Sequence, residues 1–302
     1  MLRRLLGVTP MAFIAGSAFA AMVLPAAAGM GQPSPGQMGL QLPATQVAAE
    51  INKLHDFVNI IIVAITIFVM LLMAYVMWRF RESASPTPSK TTHNTAIEVA
   101  WTVIPIAILV VIAIPSFKLL NLQYDYPKPD VTIKATAYQW YWSHEYPDHG
   151  GFSVDSVMLQ DDDRQVMIKK GIAAPRNLAV DNEIVVPVNK VVHMLVTAGD
   201  VIHNWTVPSF GSKVDAVPGR VTATWFKVEK EGIFYGQCSE LCGKDHAFMP
   251  IAVRVVKDNV FNEWAAALKA KDKKKAKEII EKAALEQSGV SKVAETAAPS
   301  VR

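Results

Sequence analysis

Residues 236–250, GQCSELCGKDHAFMP, carry the most informative motif of the chain. It holds both cysteines of the chain, Cys238 and Cys242, and continues to His246 and Met249. Thiolate, imidazole and thioether groups are soft donors, and here they follow one another at intervals of four, four and three residues. This donor set favours copper or another soft metal. Two thiolates can bridge two copper ions, and each ion then needs one imidazole and one weaker donor.

A paired site of this kind needs a second histidine from another part of the chain. His203, in the run DVIHNW at the start of a predicted strand, is the candidate. The alternative for the two cysteines is a disulfide, because an exported compartment is oxidising. Closing so short a loop removes little chain entropy, however, and a disulfide leaves His246 and Met249 without a role. The remaining histidines are predicted to be surface or packing residues, namely His55, His93, His144, His149 and His193.

The sequence around this motif, from residue 130 to residue 257, is typical of a small β-domain. β-Branched and aromatic residues alternate there with polar ones, and Gly, Pro, Asn or Asp bounds each run. Seven runs show the pattern, namely VTIKATA, EIVVPV, KVVHMLVT, HNWTV, RVTATWFKV, GIFYGQC and PIAVRVV. Short strands at this spacing predict a β-sandwich or a Greek-key barrel.

Two long apolar segments precede the β-domain. Residues 57–78 and 99–117 carry no formal charge, and as helices they would span roughly 33 Å and roughly 28 Å. Pro105 and Pro115 lie in the second segment, and membrane helices tolerate proline better than soluble helices do. The sequence therefore predicts a transmembrane helical hairpin over residues 54–120, in contact with a lipid bilayer.

The positive charges predict how the hairpin is oriented. The connection 79–98 carries two arginines and one lysine, whereas residues 29–53 carry a single lysine. Positively charged loops stay in the cytoplasm, so this connection is expected to be cytoplasmic. We therefore expect a bacterial inner-membrane protein whose β-domain and mature termini lie on the periplasmic side.

The two ends of the chain differ from its middle. Residues 1–28 combine a basic start, an apolar stretch and three final alanines, which predicts a signal peptide; a retained anchor helix is the alternative. Residues 29–53 are predicted to be an extended lead-in, rich in proline, glycine and glutamine. Residues 258–302 are rich in alanine and lysine, which predicts a solvated helix to about Gln287 and then a disordered end.

Charge is distributed unevenly along the chain. The whole chain has a net charge of +3, but residues 130–256 hold 15 acidic and 12 basic side chains. From residue 257 onward there are 10 basic and 7 acidic side chains. An exported domain that is acidic suggests a cationic protein partner, and no nucleic-acid partner is expected.

These motifs together resemble those of one known family. GQCSELCGKDHAFMP, with DVIHNW and VDAVPGR upstream, is similar to the binuclear copper (CuA) motif of cytochrome c oxidase subunit II. The resemblance covers the hairpin, the β-domain and the order of the motifs, roughly residues 54–256, and it implies a cupredoxin-like Greek-key domain. It also implies the copper ligands, which are His203, Cys238, Cys242, His246 and Met249, with the backbone carbonyl of Glu240 as the sixth.

The resemblance implies a path for electrons as well. The family accepts electrons from cytochrome c and passes them to haem in subunit I of an enzyme of several subunits, which reduces oxygen to water and pumps protons. Trp140, in the run YQWYWSHEY, matches the residue where electrons enter, and His144 stands where an aromatic residue is usual. Four carboxylates match positions that dock cytochrome c, namely Glu145, Asp155, Asp181 and Asp200.

Four residues match family positions next to subunit I. The carboxylate of Glu240 corresponds to a ligand of a Mg²⁺ or Mn²⁺ ion shared with that subunit, a hard-donor site. Asp215 and Arg220, in VDAVPGR, correspond to residues that order the hydrogen bonds between the copper site and the haem subunit. Glu98 corresponds to the mouth of a proton channel, although a glutamate at a helix start is also favoured by the helix dipole.

Two other functions use related motifs. A membrane-tethered copper chaperone or thiol–disulfide protein also combines C-x-x-x-C with a distant histidine, but such proteins have a thioredoxin-like α/β pattern. A soluble enzyme that reduces nitrous oxide carries the same copper motif, but without a membrane hairpin and with a long propeller domain. The membrane segments and the β-only pattern therefore favour the oxidase subunit.

Overall fold

The computed structural model describes residues 30–87 and 89–297, and the side chains of its last helix only as far as Ser288. The predicted signal peptide, residues 1–28, lies outside the described residues. The last five residues of the predicted tail, 298–302, also lie outside them.

Two long apolar helices begin the described chain, α1 (Gln46–Arg79) and α2 (Thr95–Tyr124). Both are long and apolar enough to cross a membrane, and their most apolar windows are not buried within the protein. Each helix begins earlier than the apolar segment predicted for it, because a side-chain cap lies upstream. The hydroxyl of Thr45 accepts from the Ala48 amide at 3.1 Å, and Asn94 caps α2 in the same way.

The lead-in before α1 packs against the β-domain. The amide of Tyr235 donates to the carbonyl of Gly31 at 2.8 Å, and the amide of Ala44 donates to Ser209 at 2.8 Å. The hydroxyl of Thr45 donates to the carbonyl of Phe210 at 2.8 Å. The predicted extended lead-in 29–53 is therefore non-helical only up to Thr45, and its remaining residues belong to α1.

Ten strands form the β-domain. They are β1 (Val131–Tyr138), β2 (Tyr141–Tyr146), β3 (Phe152–Ser156), β4 (Ile184–Pro187), β5 (Val191–Ala198), β6 (His203–Val207), β7 (Ser212–Ala216), β8 (Thr222–Lys227), β9 (Gly232–Gln237) and β10 (Pro250–Val256). All seven predicted runs contain a strand. Three strands have no counterpart among those runs, β2, β3 and β7.

The strands form sheets in which most neighbours are antiparallel. The largest sheet has the order β3-β2-β1-β5-β8, a second has β4-β10-β9, and β6 pairs with β7. Two pairs are parallel, β1 with β5 and β10 with β4, so the chain also makes crossover connections besides the antiparallel pairs of consecutive strands. The predicted architecture, a two-helix hairpin followed by an all-β domain, is confirmed.

The core lies between the sheets. Side chains alternate between buried and partly exposed along β1, β2 and β5, as expected for strands with one face on a core. Aromatic rings fill the centre: Trp205 stacks on Phe226 with centroids 5.9 Å apart, and Phe210 lies 4.8 Å from Phe226. This packing fixes β6, on which His203 is the first residue.

A short helix, α3 (Asp161–Lys169), follows β3. The run Asp161-Asp162-Asp163 begins this helix, and all three side chains are exposed. The three carboxylates occupy the first turn of α3, where negative charge interacts favourably with the positive end of the helix dipole.

The C-terminal region forms two helices, α4 (Asp258–Lys269) and α5 (Lys273–Ala297). The prediction of a solvated helix that ends near Gln287 was wrong on two points, because the apolar face of this region is buried and α5 continues to Ala297. Trp264 is 4% exposed and packs on Tyr146 of β2 at 5.2 Å between ring centroids. The lysines that suggested a solvated region occupy the outer face.

Arg254 joins strand β10 to the residue before β4 by an ion pair and to α5 by a hydrogen bond. The guanidinium of Arg254 donates to both carboxylate oxygens of Glu183 and, at 2.8 Å, to the side chain of Gln287. Arg254 is 2% exposed, and its charge is therefore balanced inside the protein. The C-terminal helices are thus part of the folded β-domain.

Candidate metal centre

Five side chains from two parts of the sequence converge at one end of the β-domain. The Sγ atoms of Cys238 and Cys242 lie 3.9 Å apart. The Nδ1 atom of His203 lies 3.9 Å from Cys238 Sγ, and the Nδ1 atom of His246 lies 3.5 Å from Cys242 Sγ. The Sδ atom of Met249 lies 3.5 Å from Cys242 Sγ. The soft donors singled out in the sequence therefore face one another.

Backbone geometry sets this arrangement. Strands β9 and β10 are antiparallel neighbours, with Gln237 opposite Pro250, so the ligand loop 238–249 connects two paired strands. The amide of Ser239 donates to the carbonyl of Asn204 at 3.2 Å, which joins the loop to β6. At Gly236 an added Cβ would lie 1.8 Å from the Thr206 carbonyl oxygen, so only glycine allows β9 to approach β6 this closely.

The carboxylate of Asp200 orients the ring of His203. The Nε2 atom of this buried histidine lies 2.9 Å from Asp200 Oδ1. When Nε2 carries the proton and donates it to the carboxylate, the lone pair of Nδ1 faces the thiols. A carboxylate behind a histidine is a common way to fix the tautomer of a metal ligand.

The two thiols differ in acidity. Burial raises the pKa of Cys238, but hydrogen bonds with His203 and with backbone groups of Glu240 and Asn204 outweigh it and lower the pKa to about 7. Burial and the negative charge of Cys238 raise the pKa of Cys242 to about 12. The unmetallated pair thus favours one thiolate beside one thiol, and a cation between the sulfurs would favour two thiolates.

The donors suit two copper ions better than a disulfide. Both cysteines are buried free thiols, and each has an imidazole Nδ1 within 3.9 Å. The carbonyl oxygen of Glu240 lies 3.3 Å from Cys238 Sγ, so a weak oxygen donor lies near one sulfur as the Met249 sulfur lies near the other. Two bridging thiolates, one imidazole per ion and one weak donor per ion satisfy the donor chemistry of copper.

Trp140 lies over the ligand loop. It occupies the turn between β1 and β2, is half-buried, and its Nε1 atom donates to the carbonyl of Cys242 at 3.3 Å. The ammonium of Lys244 lies 5.6 Å from the centroid of the indole ring. The indole therefore extends from the protein surface to the backbone of a candidate ligand.

The four carboxylates matched to docking positions have different environments. Asp155 accepts from the Ser143 hydroxyl at 2.6 Å, and Glu145 pairs with Lys134 at 3.9 Å. Asp181 accepts backbone amide bonds from Val157 and Asn182, each at 2.8 Å. Asp200 is the exception, because it also binds His203. Burial raises the pKa of Asp200, but hydrogen bonds from His203 and backbone amides outweigh it and lower the pKa.

The residues matched to the subunit I side lie in different parts of the structure. The side chain of Glu240 is exposed, and Asp215 accepts from the Nδ2 of Asn204 at 2.6 Å. Arg220 is exposed, and its carbonyl accepts from the Thr197 hydroxyl at 2.8 Å. Glu98 lies in the first turn of α2, at the far end of the hairpin.

Three residues around the centre were not identified from the sequence. Gln139 donates from Nε2 to the Cys242 carbonyl at 2.7 Å, and Trp142 donates to the Met249 carbonyl at 3.4 Å. Asn204 links β6, the ligand loop and Asp215. Amide and indole groups are common throughout proteins, so no spacing in the sequence distinguishes these three.

Two family models match the chain. "Cytochrome C oxidase subunit II, periplasmic domain" matches residues 131–256, and "Cytochrome C oxidase subunit II, transmembrane domain" matches residues 33–119. The first match contains the whole β-domain and the candidate metal centre. The second contains α1 and most of α2.

Individual relatives agree with the family models. A probable cytochrome c oxidase subunit 2 of Rickettsia bellii is 50% identical over 236 residues, which are 78% of this chain and 86% of the relative. Cytochrome c oxidase subunit 2 of Cereibacter sphaeroides is 48% identical over 246 residues, which are 78% of this chain and 81% of the relative. The crystal structure of the periplasmic domain of subunit II of cytochrome oxidase of Bradyrhizobium japonicum shares 59% identity. The match covers 48% of this chain and 97% of the chain in that structure, with a TM-score of 0.44.

Proposed function

The chain belongs to the cytochrome c oxidase subunit II family, and we propose that it receives electrons from cytochrome c and passes them to haem in subunit I. The oxidase then reduces oxygen to water and pumps protons. The observation that carries this proposal is the convergence of two free thiols, one imidazole and a thioether from the ligand loop with a second imidazole from β6. Soft thiolate, imidazole and thioether donors that face one another suit a copper site that passes electrons.

The residues that would hold two copper ions are His203, Cys238, Cys242, His246 and Met249, with the carbonyl of Glu240. When bound, the copper pair shares one electron between two ions, so the change in bond lengths on reduction is spread over both. The chain contributes a buried donor set whose geometry is fixed before the metal binds. Asp200 holds one imidazole with its Nδ1 toward the thiols, which lowers the cost of ordering that ligand.

Trp140 is proposed as the residue where electrons enter. Its indole bridges the surface and the Cys242 carbonyl, and aromatic rings at such positions shorten the distance between two redox partners. The carboxylates Glu145, Asp155, Asp181 and Asp200 are proposed to attract the lysine-rich face of cytochrome c. Complementary charge raises the association rate and makes it depend on salt.

Further roles are proposed at the boundary with subunit I and in the membrane. The exposed carboxylate of Glu240 is available for a Mg²⁺ or Mn²⁺ ion shared with that subunit, and Asp215 and Arg220 for hydrogen bonds to it. Glu98 is proposed to lie at the mouth of a proton channel in subunit I. Helices α1 and α2 are proposed to cross the bacterial inner membrane with the metal centre on the periplasmic side.

We propose five segments along the chain. They are a signal peptide at 1–28, a lead-in at 29–53, a membrane hairpin at 54–120, a CuA domain at 130–257 and a C-terminal region from 258. The packing of residues 30–45 and of α4 and α5 on the β-domain supports a larger folded periplasmic unit than 130–257 alone.

Metal content and the optical spectrum of the purified oxidase test the proposed function. We expect two copper ions per subunit and the purple absorption of a mixed-valence copper pair. A Met249→Leu variant should keep both ions and the fold, because the two side chains have similar volume, but it should shift the spectrum and the reduction potential. A single copper ion, or a Cys238–Cys242 disulfide in the loaded protein, would instead favour a thiol–disulfide or copper-chaperone function.

A further inference from the structure

The turn between β1 and β2 contacts both parts of the metal centre through a single residue, Gln139. Its backbone amide donates to Asp200 Oδ2 at 2.6 Å. Its side-chain Nε2 donates to the carbonyl of Cys242 at 2.7 Å. The first hydrogen bond connects Gln139 to Asp200 and His203, which we call the His203 arm of the site. The second connects it to the ligand loop 238–249.

These two arms come from distant parts of the sequence. Asp200 Oδ1 lies 2.9 Å from Nε2 of His203. Two successive hydrogen bonds through the Asp200 carboxylate therefore connect the Gln139 amide to that imidazole. Cys242 contributes one of the two sulfurs. Gln139 is also the neighbour of Trp140, whose Nε1 donates to the same Cys242 carbonyl at the longer distance of 3.3 Å.

We propose that Gln139 is a positioning residue of the metal centre. Through its side chain it holds the ligand loop at Cys242, and through its backbone it holds Asp200, so that the loop, the His203 arm and Trp140 keep one relative arrangement. This inference rests on the proposed function, because it concerns the same site.

The ligand loop is shaped to accept this contact. Gly243 follows Cys242 with φ of +125°, a conformation that residues with a Cβ rarely adopt. An added Cβ there would lie 3.1 Å from Gln139 Nε2 and 3.0 Å from Cζ2 of Trp140. Glycine at position 243 therefore lets the loop approach both Gln139 and Trp140. A glutamine side chain without a role at the site would not require such a close approach.

The test compares Gln139→Met with wild type in the purified, copper-loaded oxidase. Methionine has a similar length but no donor, so it removes the bond to Cys242 and leaves the backbone bond to Asp200. We expect a chelator to remove copper about five to ten times faster, the loss of roughly one hydrogen bond, together with a shifted copper spectrum. Thermal unfolding should stay close to that of wild type, because the Gln139 side chain is on the surface.

Two further variants isolate the missing donor. Gln139→Lys restores an N–H donor on a flexible side chain that is one bond longer, and it should return the rate of copper loss most of the way to the wild-type value. Tyr141→Phe alters a partly exposed residue at the start of β2, next to the turn, and should change neither the rate nor the spectrum.

Copper loss and a spectrum equal to wild type in Gln139→Met would overturn the positioning role. Equal effects in Gln139→Met and Gln139→Lys would do the same, because the donor would then be irrelevant. If wild type itself binds no copper pair, the proposed function fails, and that outcome is distinct from a wild type that binds two ions and is insensitive to Gln139.

Discussion

Strand β10 connects two ends of the β-domain that are held together in different ways. At its start, the ligand end consists of the loop 238–249, His203 and the turn at Gln139 and Trp140, and directed polar contacts join its parts. At its finish, the helical end consists of α4, which packs on β2, of α5, and of the ion pair between Arg254 and Glu183. Buried rings and the contacts of Arg254 join its parts.

The difference matches what each end has to do. Hydrogen bonds fix direction but contribute only about 1 kcal/mol each, so they suit a site where donor positions matter more than stability. Buried aromatic rings contribute several times more and tolerate small shifts. The helical end therefore supplies stability to a domain whose ligand end is arranged for chemistry.

The inner face of β2 connects the two ends. Trp142 lies 6.2 Å from the ring of His203, His144 stacks on Trp142 at 6.4 Å, and Tyr146 meets Trp264 at 5.2 Å. Variants along this face and at each end can show whether the two ends are independent.

The largest effect is expected from Trp264→Ala at the helical end. Removing this ring from contact with Tyr146 should lower the free energy of unfolding by about 3 to 5 kcal/mol, measured by thermal or denaturant unfolding of the metal-free protein. The copper spectrum of the folded fraction should not change. Lys274→Ala, on the exposed face of α5, is the control. A changed spectrum would mean that the ends are coupled.

The ion pair at the helical end should show a slightly smaller effect. Arg254→Met leaves the carboxylate of Glu183 partly buried without its partner, at a cost of about 3 kcal/mol of stability. The double variant Arg254→Met with Glu183→Leu should recover much of this loss, because no unpaired charge remains. A double variant as unstable as the single one would show that the pair contributes by packing instead.

The buried His144 in the middle of β2 should make the stability of the domain fall at acid pH. Burial lowers the pKa of His144 to about 3, against about 6.5 in an unfolded chain. Above pH 6.5 this group adds no pH dependence, and below it the unfolded state binds the proton that the folded state excludes. Stability should therefore fall toward pH 3, by about 2 kcal/mol at pH 5. In His144→Phe, the free energy of unfolding should depend less on pH between pH 5 and 7. The same dependence on pH as in wild type would contradict this.

At the ligand end, Trp140→Ala should change rates and leave stability nearly unaffected. Turnover with cytochrome c should drop at least about tenfold, which corresponds to about 1.4 kcal/mol of barrier. The concentration of cytochrome c at half-maximal rate should change little, because the docking carboxylates remain. Steady-state kinetics measure both quantities, and normal turnover would remove Trp140 from the electron path.

The smallest effect is expected from single docking charges. Asp181→Asn keeps the backbone hydrogen bonds and removes one charge, so binding of cytochrome c should weaken about twofold at low salt and not at all at high salt. Asp200→Asn should weaken binding similarly but also shift the copper spectrum, because Asp200 binds His203. A shifted copper spectrum in both variants would show that the substitution at Asp181 also changes the environment of the metal centre.

The sequence alone determined the parts of this protein that depend on local pattern. Membrane helices require uninterrupted apolar length, strands require alternation, and a soft metal requires a set of donors at short spacing, so each is visible in a few consecutive residues. This is why the hairpin, seven of the strands and the donor set around Cys238 and Cys242 could be predicted.

Only the tertiary structure decided which parts meet. The role of Trp264 could not be predicted, because the region from residue 258 onward is rich in alanine and lysine and its partner Tyr146 lies far away along the chain. Gln139 contacts the metal centre through the backbone carbonyl of Cys242. Because every residue has a backbone carbonyl, no sequence pattern marks this contact. Contacts to backbone groups and packing between distant elements depend on how the chain folds back on itself, and this information is spread over the whole sequence.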